Sequence, residues 1–297
     1  MTRLKQQATK AWIAAARPKT LPAAIAPVLV GTAEASRSGS VEAWPVFICL
    51  SFALLVQIAT NLANDYFDFA RGADTSQRLG PERQVASGKI APKTMLRAAI
   101  ALFLLAFVVG LSMVSYRGSE MLVVGISAIV FGYAYTGGPY PLAYHGLGDV
   151  FVVGFFGWVA TMGTYYVIAG ELSLEVFLLG LPLGLLANNI LVVNNYRDKE
   201  TDEAAGKKTL VVRWGRDFAR SQYAWQLATA YLSLSVYVGI TQSFWPCLAF
   251  ATIPMGTKLI VELRKTQGTA LNGLLARSAK LLLVFSALLA LGIAWSG

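Results

Sequence analysis

The stretch Asn61-Leu-Ala-Asn64-Asp65-Tyr66-Phe-Asp68-Phe-Ala-Arg71-Gly72-Ala-Asp74 follows directly on an apolar run over 43–63. A run of about 20 apolar residues is long enough to cross a bilayer as a helix. Asn61, Asn64, Asp65 and Asp68 recur at i, i+3, i+4 and i+7, so a continuing helix carries them on one face. The segment therefore reads as a membrane helix that ends in an acidic face, at the margin of the lipid.

A second stretch repeats the design. Asn194-Asn195-Tyr196-Arg197-Asp198-Lys-Glu-Thr-Asp202-Glu-Ala-Ala-Gly206-Lys207 ends the apolar run over 173–193. Asn194, Asp198 and Asp202 lie at i, i+4 and i+8. Asn64 and Asn194 each open the pattern Asn-(Asp/Asn)-Tyr-x-Asp, a faint internal repeat that would let two acidic faces converge. Clustered carboxylates repel one another unless a cation neutralises them, and short aspartates suit a hard ion such as Mg2+. Magnesium typically joins one or two carboxylates to phosphate oxygens, so the pair of clusters points to a diphosphate held between metal ions. Two other readings compete. Acids and bases mingle in solvated loops without function. A transporter also uses carboxylates for coupling ions, but near the membrane midplane rather than at helix ends.

The rest of the chain extends the membrane reading. Of 297 residues, 56% are hydrophobic and 14% are charged, against about 25% charged in a soluble domain. Nine apolar segments stand out, at 20–36, 43–63, 97–115, 120–136, 147–169, 173–193, 222–240, 243–261 and 279–295. With the N-terminus placed in the cytoplasm, 23 of the 25 basic residues fall on the inside, leaving Arg37 and Arg117 outside. That is the inside-positive bias of a polytopic protein. All seven aspartates fall on the same inner side. The expected architecture is all-α: nine transmembrane helices in one bundle, a single domain over 1–297. The net charge of +9 flanks apolar runs and implies no nucleic acid. Cys49 and Cys247 lack a partner motif and read as apolar filler. The basic first sixteen residues lack a signal-peptide cleavage pattern, so the first apolar segment is expected to be a retained helix.

The motifs together resemble those of the UbiA superfamily of intramembrane prenyltransferases, and within it the branch that acts on 1,4-dihydroxy-2-naphthoate. The likeness covers nearly the whole chain. It lies in Arg17-Pro-Lys19-Thr-Leu-Pro near the start, the two aspartate stretches, Gly80-Pro-Glu-Arg83-Gln-Val-Ala-Ser87-Gly88-Lys89, Gly132-Tyr133-Ala-Tyr135-Thr-Gly137-Gly138-Pro139-Tyr140-Pro141, and His145-Gly-Leu-Gly148-Asp149. Two departures from the wider superfamily favour that branch. Gly72 stands where a third aspartate is commoner, with Asp74 just beyond, and a Gly-Gly-Pro-Tyr-Pro-Leu loop replaces the Lys-Arg pair of 4-hydroxybenzoate transferases.

The resemblance implies Mg2+-dependent transfer from a polyprenyl diphosphate to 1,4-dihydroxy-2-naphthoate. Decarboxylation then gives demethylmenaquinone, in the cytoplasmic membrane of a bacterium. Another aromatic acceptor such as 4-hydroxybenzoate is the alternative, and an ion-coupled transporter a more distant one. Asn61, Asn64, Asp65, Asp68, Asp198 and Asp202 are the expected catalytic residues. Asp65, Asp68, Asp74, Asp198 and Asp202 are the expected metal ligands. Lys19, Arg83, Lys89 and Lys207 pair with diphosphate or carboxylate, or merely anchor the inner face. Tyr133, Tyr135 and Tyr140, with Tyr66 and Tyr196, face a cation or ring, or sit at the interface as tyrosines often do. His145, Asp149 and Asn194 complete the expected substrate-binding set. His145, the sole histidine, has a structural reading as well.

Overall fold

The computed structural model describes residues 3–74 and 78–296. Among them there is no strand. Helix α1 (Arg3–Ala16) is amphipathic and buries Ala11 and Ala15, packed against Ala59, Leu62 and Ala63, while Ala8 and Ala14 stay exposed. It bends by 51° into α2 (Pro22–Ala35). At the bend Arg17 adopts the left-handed conformation, φ 51° and ψ 68°. Pro18 closes the helical region to the residue before it, which helps force the chain to turn there.

Helices α3 (Ala43–Ala70) and α4 (Pro92–Arg117) pack along each other, and α5 (Glu120–Ala134) leans on both. The next span is composite. Helix α6 (Gly148–Val152) opens into a π-helical segment, Val153–Val159, and resumes as α7 (Ala160–Ala169). Helices α8 (Leu174–Ala204), α9 (Leu210–Thr241), α10 (Ile253–Lys265) and α11 (Leu271–Ala294) follow. Helix α8 is the central post, touching α2, α9, α11 and the π segment. Its Gly180-Leu-Pro-Leu-Gly184 places two small residues one turn apart, the pattern that lets membrane helices approach backbone to backbone. A Cβ on Gly184 would lie 2.6 Å from the Val153 carbonyl oxygen and 3.1 Å from the Gly157 Cα.

The nine apolar segments all fall on helical elements, but they are not nine equal spans. Among the described residues six helical stretches are long and apolar enough to cross a membrane, or seven if the bent pair across Arg17 forms one span. The exceptions have separate reasons. Helix α2 has 14 residues and α5 has 15, short of the roughly 20 a perpendicular crossing needs. Helix α9 is long, but the stretch after its charged first turns carries Gln222, Gln226, Thr229, Ser233 and Ser235, which dilute its apolar character.

Candidate active site

Both aspartate stretches end their helices by the same device. Gly72 adopts φ 71°, its N–H bonds to the Phe69 carbonyl, and the Ala73 N–H bonds to the Asp68 carbonyl at 2.9 Å. Gly206 adopts φ 73°, its N–H bonds to Glu203, and the Lys207 N–H bonds to the Asp202 carbonyl at 2.9 Å. This paired closure needs a left-handed residue, which glycine supplies without strain. It equates Asp68 with Asp202, whereas the Asn-x-Tyr-x-Asp pattern equates Asp68 with Asp198. The structural repeat thus lies one helical turn away from the one the letters suggest. It also gives Gly72 a role, as the left-handed residue that closes the helix.

The two helix ends meet across a web of cations. Lys207 Nζ lies 3.1 Å from Asp68 and 3.5 Å from Asp202. Arg78 lies 2.9 Å from Asp74 and 3.7 Å from Asp198. Each of these cations spans from the first stretch to the second. Arg83 ties Asp68 to Asp74, at 2.9 and 3.3 Å, and the Tyr144 hydroxyl donates to Asp68 at 2.9 Å. Arg197, fully buried, donates to both oxygens of Asp198 at 2.8 and 2.6 Å, and to Asn194 and Asn272. Asn272 in turn donates to the Leu79 carbonyl, and Gly80 lies so near Arg197 that a Cβ would stand 2.6 Å from its guanidinium. The loop leaving the first stretch is therefore pinned over the second. Burial pushes the Asp74 carboxyl up to about 7, with Arg78 opposing. Burial works against the Lys207 ammonium, but Asp68 and Asp202 more than offset it, so its proton is held more tightly than usual.

These groups stand at one end of a cavity of about 310 Å³. Asn61, Asn64, Asp68, Asn194, Asp198 and Asp202 line it, as do Arg83, Lys207, Tyr135 and Asp149. Beyond them the wall turns apolar, with Val28, Phe52, Val56, Met121, Val124 and Phe155. Asn61 donates to the Ala16 carbonyl and the Thr20 hydroxyl, and Asn64 accepts from Thr136 at 2.6 Å. Among the described residues, no three acidic, histidine or cysteine side chains are grouped tightly enough to clasp an ion unaided. The donor set still fits magnesium, which takes one or two carboxylates and fills its shell with water and phosphate oxygens. The buried Asp74 Oδ2, which has no hydrogen-bond partner, is an oxygen such an ion would satisfy.

Other expected site residues lie elsewhere. Asp65 does not line the cavity: its two oxygens accept the Gln84 and Val85 N–H groups, each at 3.1 Å. It fastens the 80–90 loop rather than facing a ligand. Lys19 and Lys89 are exposed, and Lys89 pairs with Glu82. Tyr133 packs edge-on against Phe67 and Phe103. Tyr140 is exposed and stacks on His145 at 3.6 Å, while His145 Nδ1 meets the Pro141 carbonyl at 2.9 Å. These five residues and Asp65 hold loops or surface; none of them lines the cavity. Tyr196 is buried, with Arg220 donating to its hydroxyl. The sequence reading missed Arg17, Arg78, Tyr144 and Arg197. Arg17 lines the cavity from the bend, and its buried Nη2 has no partner. Its place before Pro18, between two helical stretches, was the available signal.

Fold and site together define a helical membrane protein with a polar, phosphate-ready mouth on an apolar cavity. The chain belongs to the UbiA prenyltransferase family, which matches residues 24–272. It is therefore an enzyme of the prenyltransferase class. It is 36% identical, over 99% of its length and 98% of the relative's, to a 1,4-dihydroxy-2-naphthoate octaprenyltransferase of Escherichia coli strain K12. Its fold resembles that of a UbiA homolog from Aeropyrum pernix K1, with TM-score 0.68 and 16% identity over 99% of this chain and 98% of that one. It also resembles a UbiA homolog from Archaeoglobus fulgidus bound to GPP and Mg2+, with TM-score 0.58 and 15% identity over 96% and 99%.

Proposed function

We propose that this enzyme transfers a polyprenyl group from polyprenyl diphosphate to 1,4-dihydroxy-2-naphthoate, releasing pyrophosphate and carbon dioxide and forming the hydroquinone of demethylmenaquinone for menaquinone synthesis. The observation that carries the reading is the meeting of two aspartate-bearing helix ends, spanned by Arg78 and Lys207, over a deep apolar cavity. The name of the Escherichia coli relative supports the acceptor, and the GPP and Mg2+ of the Archaeoglobus homolog support the donor and metal.

Arg17, Arg78, Arg83 and Lys207 receive the diphosphate as charge-assisted donors. Asp68, Asp74, Asp198 and Asp202 would hold Mg2+, which would supply positive charge against the negative charge developing on the departing pyrophosphate. The apolar wall takes the prenyl chain and keeps water from the allylic cation. Tyr135, Asn64 and Asn194 border the space left for the ring. The whole chain acts as one unit, with nine membrane passages, a cytoplasmic N-terminus, and the site at the inner face of a bacterial cytoplasmic membrane. The test is purified protein in detergent with 1,4-dihydroxy-2-naphthoate, an allylic diphosphate and Mg2+. Pyrophosphate and a prenylated, decarboxylated product are expected. Product from 4-hydroxybenzoate alone would reassign the acceptor, and ion flux in vesicles without turnover would reject the enzyme reading.

A further inference from the structure

Asp149 differs from the aspartates of the two stretches. Asp68, Asp74, Asp198 and Asp202 each have a cationic partner within 3.7 Å; Asp149, among the described residues, has none. It is buried at the first turn of α6, yet it lines the cavity. Two neutral amides fix it, Asn188 Nδ2 at 3.0 Å and Gln222 Nε2 at 2.7 Å. Both donate to Oδ1, and no described side chain donates to Oδ2.

Its depth is also distinctive. Gly148 packs against Leu191 of α8, 3.5 Å from where a Cβ would stand. Leu191 is seven residues before Asp198, about 10 Å further along the helix. Asp149 therefore sits deeper than the aspartate mouth, at the level where a ring would lie against the allylic end of the chain. The ionisable group facing it is the Tyr135 hydroxyl at the end of α5, 3.0 Å from where the Gly148 Cβ would stand. Beyond that hydroxyl, Asp68, Asp202 and Arg17 line the same cavity. The elements packed behind it, α8 and α9, offer only the two amides.

We propose that Asp149 is the catalytic base for the aromatic acceptor, with Asn188 and Gln222 as its positioning residues. The role rests on the reaction proposed above. Oδ2 takes the proton of a ring hydroxyl, and the O–H electron pair moves into the ring. The ring carbon bonds to the allylic C1, and the C1–O bond breaks with its electron pair leaving on pyrophosphate. The ring then loses its carboxylate as carbon dioxide, the C–C electron pair restores the aromatic ring and its oxyanion, and Asp149 returns the proton to that oxygen, leaving the hydroquinone.

The test is the pH dependence of Asp149→Asn in the full-length enzyme. Near neutral pH its kcat should fall at least about 100-fold, within the range general-base catalysis supplies. The KM for the prenyl diphosphate should stay within about threefold of wild type, since only the proton acceptor is removed. The deficit should shrink at alkaline pH, where the acceptor ionises without help, and excess Mg2+ should not repair it. Gln222→Leu, which keeps the carboxylate but loses one of its two donors, should displace the acid limb of the kcat profile. If Asp149→Asn does not fold, that displacement decides, and an unmoved limb overturns the role. Turnover of Asp149→Asn within about threefold of wild type, or a deficit equal at all pH values, would also overturn it. An inactive wild-type protein would instead remove the reaction itself, and this role with it.

Discussion

Asp68 gathers more partners than any neighbour: Arg83, Lys207 and the Tyr144 hydroxyl all reach it. Asp198 takes both prongs of Arg197. Asparagine preserves the size of either and removes the charge. Asp68→Asn and Asp198→Asn should each lower turnover at least about 100-fold, equal to about 2.7 kcal/mol of barrier, with elution in detergent confirming the fold. Asp217→Asn is the control: that side chain is 95% exposed and pairs only with Arg220, so activity should stay near wild type. Spacing in the sequence was enough to single out the aspartates. It was not enough to sort them, because a helix face has width. Asn64 and Asp65 are neighbours about 100° apart on the helix, and Asp68 lies between them in angle. Asp68 therefore meets the cavity while Asp65 turns to the 84–85 backbone. The answering cations were hidden for another reason: Arg17, Arg78 and Arg197 look like ordinary inner-face anchors until the chain folds.

Among the elements, α8 and the π segment depend on each other most closely. Gly180 meets Trp158, Gly157 meets the Gly180 carbonyl, and Gly184 meets Val153. Leucine at Gly184 has no room, because the atoms it would strike are backbone. Gly184→Leu should force the two elements apart, lowering Tm and separating Asp149 from Asn188, so activity should fall further than stability alone explains. Thermal unfolding followed alongside turnover checks this; unchanged values for both would show that the contact is slack. The sequence displays the apolar runs over these elements but not the π segment, since an extra residue per turn leaves no mark in composition. Nor did the runs show that α5 is only 15 residues long, or that polar residues such as Gln222 and Gln226 dilute α9. The apolar tally measures affinity for lipid and not the length or straightness of the helix that carries it.

At the scale of the whole molecule the charge split makes a topological statement. Cysteine placed at exposed Lys89 or Lys208 should react with an impermeant thiol reagent only from the cytoplasmic side, and at exposed Ser40 only from the outside. Labelling of Lys89→Cys and Lys208→Cys from opposite sides would contradict the meeting of the two helix ends. That meeting has a further consequence. Lys207 and Arg78 are the site's own counter-ions, present before any substrate arrives. On the proposed reaction the aspartates would pass from these cations to the metal, and the ammonium and guanidinium groups would pass to the phosphate. A chemist would call this salt metathesis. Because both halves of the exchange are already in place, the apo-protein has no need of metal to keep its helix ends together. Chelation should abolish turnover while leaving Tm almost where it was.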